Sequence, residues 1–150
     1  MDVTQVWYRL YRVRSLEQQI QRKLMTKAEL ESCLYPGGIR YDRSKVKSEP
    51  NDKLFRITAQ LMEIDTDIKN LKRRKAAAVQ QTADTIELLE DETEKMVLTG
   101  FFVARMSIPE IAEMIHYSPR RTYYFRKSAL DHLAEKLGKN CKEPRDKMIS

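Results

Sequence analysis

The sequence predicts an all-α fold: a long antiparallel helical hairpin followed by a small three-helix domain. Three observations carry that expectation. Apolar residues recur at steps of three and four along most of the chain, the spacing that lines one face of a helix. The 150 residues hold only four Gly and five Pro, so few positions interrupt those periodic runs. Hydrophobic residues make up 41% and charged residues 33%, a balance that suits helices with one buried stripe and a charged outer face.

The first helix is expected from Val3 to about Leu34. Val3, Val6, Trp7, Leu10, Val13, Leu16, Ile20 and Leu24 form its stripe, and Arg9, Arg12, Arg14, Arg22 and Lys23 cover the rest. Leu16 rather than Glu17 continues the stripe, a local phase shift from a strict heptad. The helix should stop at Tyr35-Pro36-Gly37-Gly38, where Pro removes a donor and the glycines free the backbone. A polar, basic connector over residues 35–52 follows, with Asn51 or Asp52 placed to cap the next helix. That helix starts near Lys53, and Leu54, Ile57, Leu61, Ile64, Ile68 and Leu71 give it coiled-coil spacing. It continues through the basic run Lys72–Lys75 to Ile86 and Leu89. Two long helices joined by a Pro-Gly loop fold back on each other and hide their stripes. Residues 1–88 therefore read as a spacer or oligomerisation arm, and the Lys72–Lys75 run as a solvated face that can also touch phosphate.

A second domain is expected over residues 89–138. Glu90 and Asp91 favour a helix start through its dipole. Met96, Val97, Leu98, Phe101, Phe102 and Val103 then form a dense apolar core helix. Gly100 inside it costs about 1 kcal/mol relative to Ala, which predicts a close contact with a neighbouring helix. Ser107-Ile108-Pro109-Glu110 is a capping box, opening a helix to about Ile115 with Ile108, Ile111, Ala112 and Ile115 on one face. Ser118 caps the last helix and Pro119 suits its first position. That helix should end at Gly138, leaving residues 139–150 as a basic, flexible tail. Thr122, Phe125, Ala129 and Leu133 share its inner side. Arg120, Tyr124 and Lys127 point the other way, with Arg121 and Tyr123 on the flanks.

The net charge of +6 is a modest pointer to an acidic polymer. Its distribution says more. Residues 118–150 hold nine Lys/Arg against four Asp/Glu and residues 1–27 six against two, while 87–94 hold five carboxylates and no base, so the positive charge sits toward the two ends. A short helix, a tight turn and a second helix with a basic-aromatic N-terminal face make a helix-turn-helix. Arg can bond a guanine edge in two places, Arg and Lys bind phosphate, and Tyr can bond a phosphate or pack on a thymine methyl. The candidate DNA-binding residues are Ser118, Arg120, Arg121, Tyr123, Tyr124, Arg126 and Lys127. A helix merely basic on its wet side would need none of these tyrosines.

Ile111-Ala112-Glu113-Met114-Ile115-His116-Tyr117-Ser118, then Thr122-Tyr123 and Ser128-Ala129-Leu130-Asp131-His132-Leu133, resembles the fourth conserved region of primary sigma factors. It is more similar still to phage late-gene transcription activators of the ArpU/RinA type. The likeness is close from Leu89 to Leu137 and rests on pattern alone before it. It implies sequence-specific promoter binding by a sigma-region-four-like helix-turn-helix, host RNA polymerase as a further partner, and no catalysis. Two positions depart from that family. Phe101-Phe102 stands where it usually has an Arg-Tyr pair, and His116 stands where the turn usually has Gly. His tolerates the left-handed conformation better than most residues.

An enzyme is not expected. His116 and His132, the only histidines, are explained by the turn and by a wet helix face. Glu90-Asp91-Glu92 lacks His or Cys neighbours, Cys33 and Cys141 have no partners at metal-ligand spacing, and no Gly-rich phosphate loop exists. No catalytic residue, metal or cofactor is therefore assigned. With no signal peptide and no apolar run near ~18 residues, the chain reads as soluble and cytoplasmic, without a membrane partner. Double-stranded DNA is the expected partner, and a homodimer would match paired half-sites. Two other readings stay open. One is a phage small terminase subunit recognising packaging DNA; the other is a helical interaction protein that binds RNA polymerase without reading DNA. On the main reading, residues 89–137 fold and bind DNA by themselves, and the acidic edge Glu87–Glu94 keeps its side off the duplex.

Overall fold

Helices form every regular element among the described residues, as the three-and-four spacing requires. The computed structural model describes residues 2–34 and 50–149, with side chains for 2–34 and 52–138. Helix α1 spans Val3–Leu34, α2 Pro50–Ile86, α3 Glu92–Leu98, α4 Ile108–Ile115 and α5 Pro119–Ile149, and a π-helical turn at Thr99–Val103 follows α3. The expected Pro-Gly stop and the polar connector up to residue 49 lie outside the described residues.

Three helix ends differ from expectation, the slightest being that α2 stops at Ile86, short of Leu89. Asn51 and Asp52 do not precede α2: the helix begins at Pro50, whose fixed φ is already helical and whose missing N–H is not needed at a first position. Asp52 then acts within the first turn, where a carboxylate favours the dipole. At the other end, Gly138 does not stop α5, which continues to Ile149. No described glycine adopts the positive φ that a glycine C-cap uses. A helix-interior glycine costs only about 1 kcal/mol, and Lys139, Lys142 and Glu143 beyond it are helix formers. The stretch 139–149, expected as a flexible tail, is thus helical.

The chain divides into two compact units, one of residues 16–74 and one of 1–15 with 75–150. In the first, Leu16, Ile20, Ile57, Ile68 and Leu71 are buried. Lys23 pairs with Asp67 at 3.2 Å and Lys27 with Asp65 at 2.9 Å, so the pairs step in opposite directions along α1 and α2. Each is partly exposed and contributes at most about 1 kcal/mol. Leu61 and Ile64, expected to be buried in the stripe, are half-buried. Met25, Leu54, Phe55 and Met62 are exposed, Phe55 by 76%.

The second unit cuts across the expected boundary at residue 88. Val6 and Leu10 of α1 and Ile86 of α2 share one core with Leu89, Leu98, Phe102, Ala129, Leu130, Leu133, Ala134 and Leu137. Val97, Leu98 and Phe102 are buried as expected, but Met96 is exposed and the apolar run is not one α-helix. Its second half is the π turn, in which the Ala104 amide donates to the Thr99 carbonyl at 3.0 Å. A wider turn leaves carbonyls to be satisfied from outside the helix. Arg14 meets one of them, Nε donating to the Phe101 carbonyl at 2.9 Å, and its Nη2 donates to the carbonyl of Met106 just beyond the turn at 3.0 Å. Gly100 lies where a close approach was expected. A Cβ there would meet Ile111 Cγ1 at 3.0 Å, so only a bare Cα lets α4 pack this near.

Candidate nucleic-acid interface

Local hydrogen bonding fixes how α4 turns into α5. Ser107 and Glu110 form the expected box: the Glu110 amide donates to Ser107 Oγ at 3.4 Å, and the Ser107 amide to Glu110 Oε1 at 2.9 Å. The Ser107 amide, most strongly, and then the Ser107 hydroxyl, which donates to Oε1 at 2.9 Å, hold the Glu110 carboxyl below its ordinary range. Ile111 and Ala112 are buried, and Ile108 and Ile115 half-buried, so the inner face of α4 is the one its spacing indicated. His116 ends α4 at φ 63°, ψ 41°. In that left-handed conformation its own amide and that of Tyr117 both turn back to the Ala112 carbonyl.

Ser118 then starts α5. Its Oγ accepts from the Arg121 amide at 3.1 Å, and its carbonyl accepts from Thr122 Oγ at 2.9 Å. The second bond lets Thr122 sit fully buried with its hydroxyl satisfied. Thr122, Ala129 and Leu133 are buried and Phe125 is half-buried, so α5 presents the opposite side outward.

The candidate residues fall into three groups. Ser118 is exposed and serves as the cap. Arg120, Arg121, Tyr123, Tyr124 and Lys127 are exposed on the N-terminal half of α5. Arg121 lies 5.7 Å from the ring centres of both Tyr117 and Phe125, which are themselves edge-to-face at 5.0 Å. Arg126 is placed differently. It is half-buried, with its guanidinium 5.1 Å from Trp7, 4.7 Å from Phe101 and 4.9 Å from Tyr123. Trp7, Arg14, Phe101 and Tyr117 thus border the site without having been assigned to it. Trp7 beside Val6 in the α1 stripe was the available sequence signal, but nothing local says that α1 meets α5.

Helix α5 is fastened to α3 through Glu94, the only buried charged residue among the described ones. Ser128 Oγ donates to Glu94 Oε2 at 2.9 Å, and His132 Nδ1 lies 2.9 Å from Oε1. His132 was expected on a wet face, and its side chain is indeed 54% exposed against 5% for Glu94. Lys136 and Glu90, at 2.8 Å, add an outer pair. The cleft there, about 250 Å³, is lined by Leu89, Glu90, Asp91, Glu94, His132, Glu135 and Lys136. No group of three or more His, Cys, Asp or Glu among the described residues is placed to hold a metal.

The fastening predicts a pH dependence. The Glu94 hydrogen bond, aided by the charges of Glu94, Glu135 and Asp131, raises the His132 pKa above its usual 6.5. The charged imidazole is therefore favoured in the fold. Its contribution is complete below pH 6.5 and disappears as pH rises through the raised folded value. Urea unfolding should show stability falling on the alkaline side of 6.5, and His132→Gln should flatten that fall. An unchanged slope in the variant would detach His132 from it.

No helix is long and apolar enough to cross a membrane among the described residues. Comparisons of the chain with protein-family models, with curated proteins and with solved structures find no match.

Proposed function

We propose that the chain is a sequence-specific DNA-binding transcription regulator in which α4, the turn at His116–Ser118 and α5 act as a helix-turn-helix. In this reading α5 lies in the major groove. One observation carries it. On the N-terminal half of α5, Arg120, Arg121 and Lys127 are exposed beside Tyr123 and Tyr124, and none of the three cations has a carboxylate partner among the described residues. By contrast, Lys23, Lys27, Lys95 and Lys136 all sit in ion pairs within the chain. Unpaired cations interleaved with aromatic groups on a well-capped helix suit a polyanion that also offers base edges and methyl groups. Arg121 is the one of them that lies beside two rings, those of Tyr117 and Phe125.

The finer reading is a phage or prophage activator acting at a promoter with host RNA polymerase. The long helices α1 and α2 would then be a hairpin arm. Its exposed Met25, Leu54, Phe55 and Met62 would be covered by a second copy of the chain or by the polymerase.

Genomic fragments retained by the protein and sequenced should share a short site. On that site Arg121→Ala should cost about 1–3 kcal/mol, and much less on random DNA. Equal loss on both would make Arg121 a phosphate contact; no loss on either would remove it from the interface. Binding by the parent should weaken linearly in log salt, by a slope of about 0.9 per phosphate contact. A flat salt profile would argue against the reading as a whole.

A further inference from the structure

Three arginines gather around the π turn without a carboxylate among them. Arg14 and Arg126 both stack on Phe101, with guanidinium carbons 4.0 and 4.7 Å from its ring centre. They can be no farther apart than those two distances laid end to end, about one Debye length (~8 Å) at physiological ionic strength. Arg14 donates to two carbonyls, which are neutral and leave its charge uncompensated. Arg105, the residue before Met106, is exposed and held at φ 58°, a conformation disfavoured for a residue with a side chain. No ion pair of the described residues includes any of the three.

A fold that needed only to cover Phe101 would use one cation. Two guanidiniums on one ring, with a third arginine one residue from the Met106 carbonyl that Arg14 holds, form a concentration of charge that an anion would relieve. Arg14 has Nε and Nη2 engaged by the two carbonyls and adds charge with its remaining N–H groups, while the planar guanidinium forks of Arg105 and Arg126 match phosphate oxygens. Arg126 also touches Tyr123, so the cluster borders the exposed face of α5, where a duplex would lie.

We propose that Arg14, Arg105 and Arg126 form a phosphate-binding cluster that takes a backbone phosphate of the duplex beyond the groove entered by α5. The proposal rests on the DNA-binding reading above. In it these arginines set register and grip, not base preference.

Two full-length variants test it. Arg126→Met keeps an unbranched stem against Trp7 and Phe101 and removes the charge; Arg105→Gly removes the charge and frees the backbone. Both should bind random and selected duplexes equally less well. The log–log salt slope should become shallower by about 0.9, so that the affinity lost between about 50 and 200 mM salt shrinks about threefold. Arg105→Gly should melt no lower than the parent. A lowered melting temperature with an unchanged salt slope would make the cluster structural and overturn the proposal. So would weakening confined to the selected site, or a greater effect on binding of a polyglutamate peptide than of duplex. Should the parent bind no duplex, the DNA reading fails by itself, and inorganic phosphate decides the cluster. A saturating shift of the Arg126 Nε–H NMR signal, absent in Arg105→Gly, supports the site; an unmoved signal overturns it.

Discussion

A fragment beginning at Glu87 is expected to be unfolded, although it contains all of α3, α4 and α5. Val6 and Leu10 of α1 are 0% exposed and Ile86 is 1% exposed, in the same core as Leu98, Phe102, Ala129 and Leu133. Truncating a single buried Leu or Ile costs about 2–5 kcal/mol. Losing Val6, Leu10 and Ile86 together with the half-buried Trp7 is therefore comparable with the whole of the roughly 5–15 kcal/mol that holds a typical domain. The loss also takes Arg14 from the carbonyls of Phe101 in the π turn and Met106 just after it, leaving both without this donor. Residues 1–15 joined by a flexible linker to 75–150 keep every one of these groups, and that chain should show helical circular dichroism and cooperative urea unfolding. Cooperative unfolding of the Glu87 fragment would show that α1 is dispensable to this core.

This expectation reverses one drawn from sequence, that residues 89–137 stand alone, and the reason lies in which information is local. The capping box at Ser107–Glu110, the left-handed turn at His116, the cap at Ser118 and the inner face at Thr122 and Ala129 are all set within a few residues. Each was legible because its partners lie within about one helical turn. The stripe of α1 was equally legible, but a stripe says that a face is buried and not against what. Val6, Leu10 and Val13 were read as hairpin seam; Val6 and Leu10 instead complete the core beneath α5. The same limit hid Arg126. From spacing it belongs with the outward residues of α5, and only the approach of Trp7 and Phe101, distant in sequence, draws it half inward. The extension of α5 past Gly138 was missed for a simpler reason: a glycine permits a stop but does not impose one.

The π turn leads to the second large effect, because it decides which of two adjacent phenylalanines carries the core. Phe102 is fully buried and packs edge-to-face against Trp7 at 5.2 Å and Phe101 at 4.9 Å. Phe102→Ala should cost about 3–5 kcal/mol, through lost transfer energy plus the cavity left among Val6, Leu10, Leu98 and Leu133. Phe101 is only half-buried, and its ring faces the guanidiniums of Arg14 and Arg126. Phe101→Leu keeps most of the apolar volume and should cost about 1–2 kcal/mol, chiefly the two cation–π contacts. In Arg126→Met, part of that loss has already occurred, so combining the two changes should cost less than their sum. Urea unfolding of the four proteins measures all of this. DNA binding should follow it unequally: Phe102→Ala loses affinity only as it unfolds, whereas folded Phe101→Leu binds more weakly at every salt concentration because its two arginines are no longer held. If Phe101→Leu proved the costlier change, the register of the π turn would be wrong. The arginine cluster built on it would then fall as well, while the capped turn between α4 and α5 would stand unaffected.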